Sequence, residues 1–212
     1  IIQLKDTVAQ TIVQVIPRYG GMLHGFTVSA NGEKMNVIDH YKNENELKRQ
    51  LSGSFKSAKL SPFVCRINKG KYFFEEKNYS IQKTTPAGEV IHGLLYDVPF
   101  QIQSMKSDEQ QAQLILSFDY NGFDAGYPFP YRCELSYVLQ KNNRLTLATT
   151  IYNQSNSAIP IADGWHPYFT TGNLVNDLYL QFNAKQIIEF NDAVLPTGRL
   201  LSYNDFAIAK EI

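Results

Sequence analysis

An excess of charge of one sign is missing from this chain. Twenty Lys and Arg balance twenty Asp and Glu over 212 residues, for a formal net charge of zero. Nucleic-acid binders carry a basic excess on one face, so that class is disfavoured and only a local patch stays open. Cysteine is nearly absent, with Cys65 and Cys133 alone. Two cysteines make no CxxC pair and no disulfide framework, and reduced thiols fit a cytoplasmic protein, although a single bridge stays open. No apolar run approaches the roughly 18 residues of a membrane helix. The opening "IIQLKDTVAQ" places no basic region ahead of an apolar one, so no signal peptide is visible; it also lacks Met, and residues upstream are expected. The chain holds no GxxxxGK[ST] and no GxGxxG after a strand, hence no nucleotide-phosphate signature. It has no HExxH and no GxSxG elbow, so nothing supports a metal site or a common serine hydrolase. The expectation is a protein without cofactor, metal, nucleic acid or membrane partner.

Aromatic residues, by contrast, are plentiful, with thirteen Tyr and thirteen Phe. Composition is 43% hydrophobic and 19% charged, within the globular range. The pattern is almost wholly strand-like. "TIVQVIP" alternates, "MLHGFTV" follows a Gly-Gly turn, and "KMNVID" follows "ANGE". "YKNENELKRQL" is the one helix-like stretch. "YFFEEKNYSIQK" reads as a hairpin turning at Lys77-Asn78, and "VPFQIQSMKSDEQQAQLILSFDY" as two strands joined by a polar loop. In "YRCELSYVLQKNNRLTLATTIYNQS", Cys133, Leu135, Tyr137 and Leu139 alternate, "KNN" turns, and Leu145, Leu147 and Thr149 alternate back. "DLYLQFNAKQIIEF" supplies two more strands. Short strands about ten residues apart predict an all-β antiparallel sandwich or barrel, a single domain over residues 1–212. After "LPTG" no closing strand is evident, and an open-edged sheet of this kind predicts truncation at the C-terminus.

Chemistry concentrates in two phrases, "GEVIHGLLYDVPF" at 88–100 and "IADGWHPYF" at 161–169. A histidine beside aromatics is more often structural than functional, and that reading suffices for His24 in a strand and His40 in a polar loop. His166 is held between Trp165 and Pro167-Tyr168, so its ring is expected to be fixed. An imidazole near pKa 6.5 suits proton transfer near neutral pH. Trp165 and Tyr168 add flat apolar faces, and a sugar ring needs that mixture of stacking surface and polar groups. His92 precedes Gly93, where the backbone can bend sharply. Arg66 stands among Phe63, Val64 and Ile67, and a guanidinium in apolar surroundings is usually paired or facing a ligand. Singly these are weak signals; together they point to a polar pocket in an all-β frame.

Four segments, in order, resemble the aldose 1-epimerase (galactose mutarotase-like) family: "VIPRYGGMLHGFTV", "SPFVCRINKGKYFF", "IHGLLYDVPF", and the long hairpin running from "GYPFPYRCEL" to "GWHPYF". The later "LPTG" and "DF" fit as well. The resemblance implies a β-supersandwich with a sugar site on one sheet face, and exchange of the α and β anomers of an aldohexose such as glucose or galactose, with no cofactor. By motif position His166 matches the proton-donating acid, His92 the second catalytic histidine, and Arg66 the sugar-binding arginine; Trp165 and Tyr168 are the expected stacking surfaces. The family's base is a glutamate on a strand beyond "DF", and no glutamate here matches it, so it is expected past Ile212. Many relatives carry Asn where Cys65 stands, which bears on sugar preference. Two alternatives remain: a carbohydrate-binding relative without the chemistry, and a hexose-6-phosphate 1-epimerase, for which Arg66, Lys69 and Lys71 form a thin basic cluster.

Overall fold

A computed structural model describes residues 1–30, 32–178 and 184–202. Two compact units divide the chain, Ile1–Phe169 and Thr170–Ile212. The first unit contains two four-stranded antiparallel sheets. Strands β1 (Ile2–Asp6), β2 (Thr11–Ile16), β3 (Met22–Ala30) and β4 (Glu33–Asn36) form one, in sequence order. Helix α1 (Glu44–Ser54), the short strand β5 (Lys59–Leu60) and the hairpin β6 (Lys71–Phe74)–β7 (Lys77–Ser80) follow. The second large sheet comprises β8 (Gln101–Ser107), β9 (Gln111–Tyr120), β10 (Tyr131–Gln140) and β11 (Arg144–Asn153), again paired neighbour to neighbour. A two-residue strand, β12 (Gly164–Trp165), pairs with β5.

The period-2 pattern explains the second sheet. Alternate residues of β10, from Tyr131 to Leu139, are buried to within 1% of complete. All ten β10 residues pair in unbroken register with β9 on one side and β11 on the other. A one-residue slip would turn this whole apolar set to the other face, so the register is strongly specified. Leu114, Leu116, Leu135 and Tyr137 join Leu4, Val13 and Val15 of the first sheet in one buried cluster. Each such aliphatic side chain contributes about 1.5–3 kcal/mol by leaving water. The Tyr137 hydroxyl donates to the Gly21 carbonyl and ties the two layers at the Gly20-Gly21 turn. Both glycines have φ of 64°, and a Cβ on Gly21 would lie 2.5 Å from Leu135 Cδ1. The turn therefore requires glycine.

Three local readings need correction. The start was not read as a strand, yet Ile2–Asp6 pairs with β2 through Leu4, which buries against Val13 and its neighbours. The helix lies later than "YKNENELKRQL" suggests, because Asn43 caps it: its side chain accepts from the Glu46 amide at 2.9 Å. The hairpin at 71–80 turns at Glu75 and Glu76, with φ of 45° and 62°, rather than at Lys77-Asn78, since Phe74 pairs with Lys77. Two left-handed residues suit a two-residue hairpin turn, but Glu-Glu lacks the Asn or Gly that normally signals one.

In the second unit, β13 (Gln186–Phe190) and β14 (Pro196–Ser202) pair antiparallel. Strand β14 begins within "LPTG" and runs on to Ser202, through a stretch that the sequence pattern leaves without a strand. The first of the two strands expected in "DLYLQFNAKQIIEF" and the "DF" segment lie outside the described residues.

Candidate functional site

The site is built where three chain segments cross inside the first unit. His166 follows β12 directly, and its peptide is pinned on both sides: the Ser57 amide donates to its carbonyl at 2.8 Å, and its own amide donates to Ala58 at 3.1 Å. The supporting backbone is strained, for Phe55 and Ser57 hold φ of 52° and 53° without being glycine. His92 also lies in the left-handed region, at φ 63°. Its amide donates to the Cys65 carbonyl at 3.0 Å, and Arg66 bridges Ile91 antiparallel. Gly93 then passes so close to Ser61 that a Cβ would lie 2.3 Å from the Ser61 oxygen. Only glycine allows that crossing, and the crossing sets where His92 emerges.

These constraints bring the expected residues together. Arg66, His92, His166 and Tyr168 line one cleft of about 610 Å³. The His92 and His166 rings meet edge to face, 5.0 Å between centroids at 77°. Phe55, the residue that ends α1, backs His92 at 4.7 Å, and Tyr168 tilts against His166 at 5.3 Å. Arg66 donates from Nε to Glu89 at 3.0 Å. Burial holds His92 well below the usual imidazole range, at about 4, and the neighbouring His166 and Arg66 push the same way while Glu89 opposes them. Its Nδ1 is buried and meets no hydrogen-bond partner among the described residues. His92 is thus a neutral ring at neutral pH, and the charged form is disfavoured by both desolvation and like charge.

Trp165 is placed differently from its neighbours. It does not line the cleft; its indole Nε1 donates to Thr149 Oγ1 at 3.3 Å and its ring packs against the core. Lys59, fully buried, lies 4.8 Å above that ring. Its ammonium donates to Thr149, Asp163 and the Gly164 carbonyl. Burial lowers the lysine's pKa while Asp163 opposes the shift. This anchor behind His166 was not anticipated; its only sequence signal is a lysine set between Ala58 and Leu60. His24 and His40 pair edge to face elsewhere, and neither lines the cleft. Cys65 and Cys133 are not joined by a disulfide.

Two other charged cleft residues went unread in the sequence, Glu89 and Arg49. Arg49 sits on the polar face of α1, which reads as an ordinary solvated surface. Lys69 and Lys71, by contrast, are not on the cleft wall. Among the described residues, no three His, Cys, Asp or Glu stand together as a metal site, and no helix is long and apolar enough to cross a membrane.

Known proteins share this architecture. A galactose mutarotase/aldose epimerase homologue from C. elegans superposes with a TM-score of 0.78 at 18% identity, covering 94% of this chain and 60% of its own. A galactose mutarotase-like protein from Clostridium acetobutylicum gives 0.77 at 19%, covering 92% and 59%. Galactose 1-epimerase from Lactobacillus acidophilus gives 0.76 at 20%, covering 94% and 57%. The chain therefore spans about 60% of the length of these structures. No curated protein matches it. The family model for aldose 1-epimerase matches residues 2–210, and the all-β, antiparallel chain belongs to that family.

Proposed function

We propose that this chain carries the sugar site of an aldose 1-epimerase that exchanges the α and β anomers of a free aldohexose such as glucose or galactose. One observation carries the reading: two histidine rings meet edge to face at 5.0 Å in a cleft shared with Arg66. His92 is neutral over the working range, so it does not arrive as an imidazolium. With its Nδ1 buried and unbonded, the ring proton is assigned to Nε2, which donates a hydrogen bond to the sugar. His166, the other ring of the pair, protonates the ring oxygen. As that proton arrives, a base removes the C1 hydroxyl proton, the C1–O5 bond breaks, and the open aldehyde forms. Rotation about C1–C2 and reclosure on the other face of the carbonyl give the other anomer, with both proton transfers reversed. Arg66 and Tyr168 hold the sugar, one by hydrogen bonds and the other with its ring face.

No described residue is assigned to the base. Glu89 is the one carboxylate that lines the cleft among the described residues, and Arg66 engages it. That engagement favours the second reading, a pocket that binds sugar without turning it over. Polarimetry of freshly dissolved α-D-glucose and α-D-galactose with the natural-length protein decides between them. Decay of rotation faster than the spontaneous rate is expected. No acceleration with either sugar, in a folded protein that binds them, leaves the binding-only reading standing.

A further inference from the structure

Lys59 is fully buried, and its ammonium finds an acceptor for each of its three N–H groups. These are Thr149 Oγ1 at 3.2 Å, the Gly164 carbonyl at 3.2 Å and the Asp163 carboxylate. The Trp165 ring covers the same ammonium at 4.8 Å, and its Nε1 donates to the same Thr149 oxygen. Three of these four partners, Asp163, Gly164 and Trp165, are the residues that lead directly into His166. We propose that Lys59 is a positioning residue for His166, acting through this socket from behind the cleft wall, which it does not line. The inference rests on His166 being the proton donor, as argued above, and goes beyond it by naming what holds that donor in place.

A buried ammonium is an unfavourable way to fill space. Its removal from water is offset only where the hydrogen bonds around it are nearly complete, and an apolar side chain of similar volume often serves stability as well or better. An apolar chain cannot, however, fix three acceptors at once. The backbone shows why they need fixing. Strands β5 and β12 pair over two residues only, Leu60 with Gly164 and Lys59 with Trp165. So short a ribbon is weakly held by its own ladder. The two backbone bonds at residue 166 reach Ser57 and Ala58, which belong to the same irregular segment as Lys59. Thr149 instead lies on β11, within the regular sheet, so its hydroxyl is where Lys59 and Trp165 fasten the ribbon to a rigid element. Without the ammonium, Asp163 and the Gly164 carbonyl lose their shared partner, and the approach to His166 is free to shift. A catalytic group misplaced by about 1 Å can lose on the order of 10²-fold in rate.

The double variant Lys59→Met/Asp163→Asn of the natural-length protein removes the socket and leaves no charge unpaired. By polarimetry, its kcat per folded molecule should fall about 10–10²-fold with KM nearly unchanged. Its His166 ring signals in ¹³C- and ¹⁵N-edited spectra, assigned with His166→Asn, should be displaced or broadened, while those of His24 and His40 stay in place. The spectra need no turnover, so they test this inference apart from the epimerase reading. Where the parent exchanges anomers, both changes are expected, and the absence of either overturns the proposal. Where the parent does not, the epimerase reading fails and the ring signals decide alone: displacement supports the role of Lys59, and parent-like signals overturn it. Leu116→Ala, which weakens the ladder away from the socket, should leave the His166 signals unmoved; an equal displacement there would reduce Lys59 to a structural residue. Thr149→Val removes the shared hydroxyl and spares the ion pair, so both readouts should move the same way by less. If the double variant fails to fold, Thr149→Val decides by the same outcomes.

Discussion

The β9–β10–β11 ladder and the cleft are made by opposite means. In the ladder every residue repeats its neighbour's conformation, and ten consecutive pairs run without a bulge. Around the cleft, regular structure shrinks to two-residue strands and single bridges. Phe55, Ser57, Cys65, His92 and Gly93 all hold positive φ there. Their cost is carried by crossings fixed elsewhere, at Ser61 and Ala58, and the regular sheets hold those crossings still. Such strain persists only where the surroundings over-determine it. The comparison suggests that the ladder supplies stability and the crossings supply position, and substitutions should separate the two.

The largest effect is expected from His166→Asn. Loss of the proposed proton donor should lower kcat by about 10²–10⁴-fold. The fold should survive, because the pins at Ser57 and Ala58 engage the backbone of residue 166 and not its ring. Polarimetry together with thermal melting checks both halves. Unchanged exchange would remove His166 from the mechanism. Gly93→Ala comes next. It sets a methyl 2.3 Å from the Ser61 carbonyl, with backbone on both sides of the clash. A loss of about 3 kcal/mol or more in denaturant unfolding is expected, and the cleft should fail with it. Leu116→Ala, in the ladder, should cost a similar 2–5 kcal/mol or so by leaving a cavity. The folded fraction should nevertheless keep the turnover per molecule of the parent. If it lost turnover as Gly93→Ala does, stability and position would not be separable in this way.

The same contrast explains what could be read from the sequence. Alternation is a local property, so the strands of β9, β10 and β11 could be read residue by residue, including the turn at Lys141–Asn143. The resemblance to a family found His92, His166 and Arg66, and the fold does gather them in one cleft. What escaped depends on packing between distant segments. Lys59 looks like an exposed strand residue until Asp163 and Thr149 surround it. Arg49 is exposed on α1, and that it also lines the cleft has no local signal. Trp165 looked like a sugar platform because it adjoins His166, but a strand sends adjacent side chains to opposite faces, and its ring turns inward. The left-handed turn at Glu75-Glu76 has no compositional mark at all.

A smaller effect tests the site's electrostatics without substrate. In the folded protein His92 takes a proton only near pH 4, because burial and the neighbouring His166 and Arg66 disfavour the cation. Once unfolded, the same imidazole titrates near 6.5. Between those values the unfolded chain holds more protons, so its population grows as pH falls. The stability that depends on a neutral His92 is therefore complete above about pH 6.5 and is lost progressively as pH drops toward about 4. Partial solvent access reduces the full effect, leaving roughly 2 kcal/mol across the window. His24 acts in the same direction, its pKa lowered by burial and by His40, so the parent slope is a sum. Urea unfolding between pH 4 and 7 should show a shallower slope for His92→Gln than for the parent, with His24→Gln removing its own share independently. Parallel slopes for His92→Gln and the parent would mean that His92 is not kept neutral by its surroundings.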